Sequence, residues 1–328
     1  MVDYTKRNVV NGKLISSKKK RSRSSAKKMT PAVRYLRYEL TNSVNAGTET
    51  SHYIDLARDL SRVNRRLYRQ GRDYHVKKIT IVSSNTPNGE NRVSVGTIDT
   101  GWVSQMAWKR GFSVWNRMNA EASKQLAGDI DGTWADFKVH MSIDGRSATK
   151  LNPLDNGGNA YLPGEWDYSL MESPDGTTGS DEFQLHMLGD HLGAAGSRTS
   201  VGLIKSYGES RATVQVGDPN VPSTASADPL VNVFDYGTTI DDVIDNLETS
   251  NDQPPYDVND YPGGDLNAPK PIIVCDSTIV DGKTVLGGFT ARCGLLELET
   301  KSPLPSDVYS VLVEIAPGNY RGLKADVI

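Results

Sequence analysis

Residues 74–98 read YHVKKITIVSSNTPNGENRVSVGTI, and the fold class turns on them. The first eleven are rich in β-branched side chains and run at a period near two. They end at the turn-rich NTPNGEN, and RVSVGTI then resumes the same pattern. β-Branched residues suit a pleated surface, while Asn, Pro and Gly supply turn conformations, so the stretch predicts a β-hairpin.

The same texture continues downstream. WADFKVHMSI (134–143) alternates most cleanly: Ala135, Phe137, Val139, Met141 and Ile143 fall on one face, Asp136, Lys138, His140 and Ser142 on the other. Further strands are expected at 165–171, 182–188, 199–206, 210–216, 271–280, 284–299 and 307–316, divided by segments such as NPLDNGGNAY and SPDGTTGSDE. There is no βαβ alternation and no internal repeat. Many short strands between turns predict an all-β sandwich or barrel. Residues 102–127 interrupt with a helical stripe of Trp108, Phe112, Trp115, Met118, Ala122 and Leu126, read as core packing.

Upstream the pattern changes. IDLARDLSRVNRRLYRQG (54–71) predicts an amphipathic helix with Leu56, Leu60, Val63 and Leu67 on one side. Arg58, Arg62, Arg65 and Arg69 repeat that spacing on the polar side, where an ordinary solvated face would mix both signs. Thr50 or Ser51 is the expected N-cap and Gly71 the expected stop. Residues 1–50, which include KLISSKKKRSRSSAKK, predict a disordered basic arm, with a weak helical or extended piece at PAVRYLRYEL.

Charge is divided along the chain. Residues 1–78 hold 20 Lys/Arg and 6 Asp/Glu, so the remainder must carry −17 to reach the net charge of −3. Such asymmetry points to a polyanionic partner for the basic part. Lys18, Lys19, Lys20, Arg21, Arg23, Lys27 and Lys28 form its densest tract, and a flexible polycation binds phosphates without reading base sequence. KKKRSR also reads as a nuclear localisation signal. Between Arg211 and Lys270 there is no Lys or Arg. That stretch contains an acidic surface insertion, 217–270, expected on the side away from the arm.

Two cysteines, Cys275 and Cys293, make no disulfide framework and are expected as free thiols in a reducing compartment. No apolar run is long enough to span a membrane, and the amino end has no apolar segment of a secretory signal. The chain carries no nucleophile elbow, P-loop, HExxH or CxxC, so neither catalytic residues nor a cofactor are expected. His186, Asp190 and His191 lie close in sequence without metal-ligand spacing, and the histidines are read as surface or loop residues. A divalent ion at 173–182 is left open.

A basic Ser-rich arm, a β body and no catalytic motif resemble a small-virus coat protein. SHYIDLARDLSRVNRRLYRQGRDYHVKKITIVS, NPLDNGGNAYLPGEWDYS, SPDGTTGSDEFQLHMLG and GSRTSVGLIKSYGESRATVQ are similar to capsid proteins of small circular Rep-encoding single-stranded DNA viruses of the environmental kind. The resemblance implies one eight-stranded jelly roll of two facing antiparallel sheets, with strands B to I, covering 74–328. B would be 74–84, C 92–98, D 134–143, E 165–171, F 182–188, G 199–216, H 284–299 and I 307–316. A helix would sit in the C–D connection, and 271–280 is one strand too many.

The same resemblance implies an icosahedral homo-oligomer of 60 copies or a multiple, packaging single-stranded DNA. Sixty arms would bring about 840 positive charges to neutralise phosphates. The subunit is expected in the virion, and in host nucleus or cytoplasm during assembly. Arg58, Arg62, Arg65 and Arg69 would then face the genome. The alternatives are an RNA-virus coat protein, a non-viral nucleic-acid-binding β-sandwich, and a carbohydrate-binding or hydrolytic sandwich with an incidental tail.

Overall fold

The computed structural model describes residues 9–10, 13–14, 31–83, 91–125, 135–162, 164–172, 182–194, 197–212 and 271–328. Its centre is an all-β sandwich built on eight strands. They are β1 (Tyr35–Thr41), β2 (Glu49–Asp55), β3 (Arg72–Ser83), β4 (Arg92–Thr97), β5 (Ile272–Thr278), β6 (Lys283–Leu286), β7 (Leu295–Lys301) and β8 (Val308–Ile315). One sheet has the order β6-β3-β8-β1 and the other β5-β4-β7-β2, with every neighbouring pair antiparallel. The short strands Phe289–Ala291 and Ala325–Val327 also pair with β3.

The sequence explains the layering. In β1, Leu36, Tyr38 and Leu40 are buried while Tyr35, Arg37, Glu39 and Thr41 are exposed, a clean period of two. Val76, Ile79 and Ile81 of β3, Val93 and Val95 of β4, Leu296 and Leu298 of β7, and Val311 and Val313 of β8 meet in the same core. Burying side chains of this size stabilises by about 1.5–3 kcal/mol each.

Several expectations are corrected. The arm was expected to reach residue 50, but β1 and the start of β2 lie inside that stretch. PAVRYLRYEL supplies a full strand because its Leu, Tyr and Leu are spaced to enter the core. The 74–98 hairpin does not form. Both strands exist, but β3 pairs with β8 and β6 whereas β4 pairs with β7 and β5. Their apolar faces enter one core from opposite sheets, so no ladder joins them. The first sandwich strand is therefore 35–41, not 74–84, and 271–280 takes a regular place beside β4.

Between β4 and β5 the chain makes a long excursion with a second core. Helix α2 (Trp102–Gln125) packs Trp108 against Phe112, with ring centroids 5.2 Å apart, and against Phe137 at 5.5 Å. Of the expected stripe Trp108 is core, Phe112, Trp115 and Met118 are half-buried against it, Ala122 is exposed, and Leu126 lies outside the described residues. A mixed sheet carries Glu182–Leu188, with Ser197–Gly202 and His140–Ser142 parallel to it and Leu170–Glu172 antiparallel. Helix α3 (Leu203–Ala212) replaces the second half of the strand expected at 199–206 and the start of the one expected at 210–216, whose residues 213–216 lie outside the described residues.

The strand expected at 134–143 shrinks to His140–Ser142. Its supposed outer face is buried: Asp136, Lys138, His140 and Ser142 are all at most 9% exposed. The segment 148–169 covers it, with the Lys138 N–H donating to Ser169 Oγ at 2.9 Å and the Ser169 N–H donating to the Lys138 carbonyl at 3.0 Å. Alternation in sequence cannot reveal a second layer on the polar side.

Candidate nucleic-acid interface

The arginine helix is real but shorter than its periodicity suggests. It is α1, Leu56–Asn64, and Leu56 and Leu60 are fully buried in the sandwich core. Thr50 and Ser51 belong to β2, so the N-cap is Asp55, whose Oδ1 accepts the Arg58 N–H at 3.0 Å. The helix stops at Arg65, which takes the left-handed conformation (φ 52°, ψ 43°) and caps it; Gly71 plays no part in that stop. Only Arg58 and Arg62 of the expected ladder therefore share a helix face.

Around the first turn lies a buried polar network. Asp55 Oδ2 accepts from Gln70 Nε2 at 2.8 Å, Tyr168 Oη at 3.1 Å and Trp166 Nε1 at 3.2 Å. Asp59 accepts from Tyr38 Oη at 2.7 Å and from Arg58 Nε at 2.8 Å. Burial pushes the Asp59 carboxyl up to about 6, against the pull of Arg58. Arg58 also donates to the Leu151 carbonyl. This arginine is buried and ion-paired, so its charge is met inside the fold rather than held out to a genome.

The other ladder residues differ. Arg62 donates to Asn152 Oδ1 at 2.7 Å and sits 4.0 Å from Asp59, yet its buried Nε has no partner among the described residues. Burial and the neighbouring Arg58 charge lower its pKa. Arg65 is exposed. Arg69 lies beyond the helix and pairs with Asp136 at 2.9 Å.

A returning segment faces α1. The Leu151 N–H donates to the Tyr53 carbonyl and the Leu154 N–H to the Arg37 carbonyl, each at 2.8 Å, so the segment runs alongside β2 and β1. An open cleft of about 840 Å³ lies between it and α1. The helix and its cap contribute Arg58, Arg62 and Arg65, the segment contributes Tyr161 and Trp166, and Lys138 adds a further cation. The Lys138 ammonium stands 4.9 Å above the Trp166 ring and donates to the Asp167 carbonyl at 3.0 Å. Sequence reading missed Lys138, Tyr161 and Trp166. Three aromatics inside the polar run NGGNAYLPGEWDYS, Tyr161, Trp166 and Tyr168, were the available signal, since large rings in so polar a loop need something to pack against.

The continuous described chain begins beside this site. The Val33 N–H donates to Asn64 Oδ1 at 2.7 Å, Asn64 Nδ2 donates to the Val33 carbonyl at 3.0 Å, and Arg66 donates to the Pro31 carbonyl at 3.3 Å. Residues 31–33 are thus tied to the carboxyl end of α1, beside Arg65. Lys18, Lys19, Lys20, Arg21, Arg23, Lys27 and Lys28 lie outside the described residues, as does the acidic insertion 217–270. The chain returns from that insertion at Pro271 into β5. Register pairs Asp55 with Leu295, and Thr97 with both Leu296 and Ile272. Return point and arginine helix therefore share one end of the sheet, on opposite edges about 14 Å apart. The expected separation of the acidic segment from the arm gains no support from this attachment.

Elsewhere the polar clusters are structural. His186 was read as a surface or loop residue, but it is fully buried in a strand, with Nδ1 2.7 Å from Ser200 Oγ and Nε2 2.8 Å from the Asp190 carbonyl. Among the described residues no group of three or more His, Cys, Asp or Glu could hold a metal, and no helix is long and apolar enough to cross a membrane. Residues 173–181 of the stretch considered for a divalent ion lie outside the described residues. Cys275 and Cys293 are free thiols.

Comparison of the chain with protein-family models, with curated proteins and with solved structures returns no match.

Proposed function

We propose that this chain is the coat subunit of a small virus, with a jelly-roll shell domain and a basic arm that packages single-stranded nucleic acid. The sandwich strand order supports the first half. Numbered along the chain, the sheets run 1-8-3-6 and 2-7-4-5, the interleaving expected when strands B to I are distributed as B-I-D-G and C-H-E-F. On this reading B is 35–41 and I is 308–315. The arginine helix occupies the C–D connection, and α2 with its mixed sheet belongs to a long E–F insertion.

Fold alone does not define function. The observation that carries the packaging half is the arm's point of attachment. Pro31, which follows the polycationic tract in sequence, is hydrogen-bonded to the exposed Arg66 beside the cleft that Arg62 and Arg65 border, so one continuous basic region could meet one polyanion. The reading includes self-assembly into a closed shell of 60 copies or a multiple, no enzymatic activity and no cofactor. DNA rather than RNA follows from the resemblance alone, because a polycation does not discriminate. Nuclear import through KKKRSR belongs to the same proposal.

Electron microscopy of the purified protein, with its 260/280 nm absorbance ratio, tests this. Uniform closed particles carrying nucleic acid are expected; monomers or dimers at assembly concentrations would refute the shell.

A further inference from the structure

We propose that the cleft beside α1 is a nucleotide subsite that holds one phosphate of a single strand on Arg62 and Arg65 and stacks its base on Tyr161 or Trp166. This rests on the packaging reading and assigns part of the binding to an ordered site in the body, apart from the arm. Arg62 carries the chief observation. Its side chain is only 11% exposed, and its Nε finds no acceptor among the described residues. Asn152 and, at 4.0 Å, Asp59 meet its Nη1, so its charge is only partly answered, and a phosphate oxygen on the cleft side of the guanidinium would complete it while offsetting the Arg58–Arg62 repulsion.

Arg65 adds an exposed second cation at the mouth. Its neighbour Arg58 is already met by Asp59, so two arginines remain for one phosphate. Glu165 and Asp167 also border the cleft and are exposed; their charges oppose an anion, so the phosphate belongs on the α1 side with the two arginines.

The aromatic wall is held in place before any ligand arrives. Trp166 is fixed through Nε1 to Asp55, and the Tyr161 N–H donates to the Pro153 carbonyl at 2.9 Å. Tyr161 also borders a second cavity of about 600 Å³ that reaches Val33. A strand leaving the cleft past Tyr161 would therefore run toward Val33. Stacking on such rings tolerates any base.

Photocross-linking of the full-length protein to a dT12 oligonucleotide containing 4-thiothymidine, mapped by mass spectrometry, tests the site. Cross-links are expected on the peptide bearing Tyr161 and Trp166, falling about tenfold in Arg65→Glu while those on residues 1–30 persist. Arg62→Gln should act likewise. Because its loss of the Asn152 contact could disturb folding, the exposed Arg65→Glu variant keeps the test decisive. Calorimetry should show thymidine 5′-monophosphate binding about tenfold tighter than deoxyribose 5-phosphate. Cross-links confined to the arm, equal yields in Arg65→Glu, or equal affinity for the two phosphates would overturn the subsite. Particles empty of nucleic acid would instead refute packaging, and the added oligonucleotide would still judge the cleft.

Discussion

Arginines spaced alike in sequence have unlike roles in space. Arg58 and Arg65 belong to one expected ladder, yet the first is buried against Asp59 and the second is exposed. Arg58→Gln should destabilise the subunit by about 3–5 kcal/mol, because it strands a buried carboxylate. Arg65→Gln should change stability by less than about 0.5 kcal/mol. Urea midpoints at unchanged slope distinguish the two, and equal midpoints would defeat the assignment.

Buried histidines set a pH window. His140 is held down to about 3 by burial and Lys150, and His186 to about 4 by burial. The unfolded chain takes up these protons below about pH 6.5 while the folded chain refuses them. Their stabilisation is therefore complete above 6.5 and is lost as pH falls toward 4. Asp59, pushed up to about 6, acts in the opposite sense, since there the folded form takes the proton first. His140→Gln should flatten the decline of melting temperature between pH 6.5 and 4.5; an unaltered slope would count against this origin.

At the scale of elements, β1 decides where the arm ends. It brings Leu36, Tyr38 and Leu40 to the core, about 6 kcal/mol of burial in total, comparable to the whole stability of a domain. Removing residues 1–30 should leave the circular dichroism and melting of the body unchanged, while removing 1–41 should abolish cooperative unfolding. A folded 42–328 fragment would show that β1 is dispensable. The strand was legible in YLRYELT, whose alternation is as clean as any in the chain, but the neighbouring lysines and serines masked it. The helix of 54–71 was legible in type and wrong in length. Its periodicity ran on through Leu67, whereas the backbone turns left-handed at Arg65, a choice made by packing around Tyr68 and Gln70, both fully buried.

For the whole molecule, the proposed function has the arm and the body act on the same polyanion but in separable ways. Shells lacking residues 1–30 should still assemble and should lose most of their nucleic acid, read as a fall in the 260/280 nm ratio. Their residual binding should depend less steeply on salt, because fewer counterions are released. Full packaging without the arm would refute its role.

From sequence alone the β class, the basic amino end and the lack of catalytic motifs were determined, because each depends on local composition or on a period of two. Tertiary structure alone decided which strands are neighbours, since pairing joins residues more than two hundred positions apart, as with Leu312 and both Arg37 and Thr80. It also decided which cations are free. Whether an arginine meets an aspartate or faces a cleft depends on what packs beside it, and no spacing along the chain encodes that.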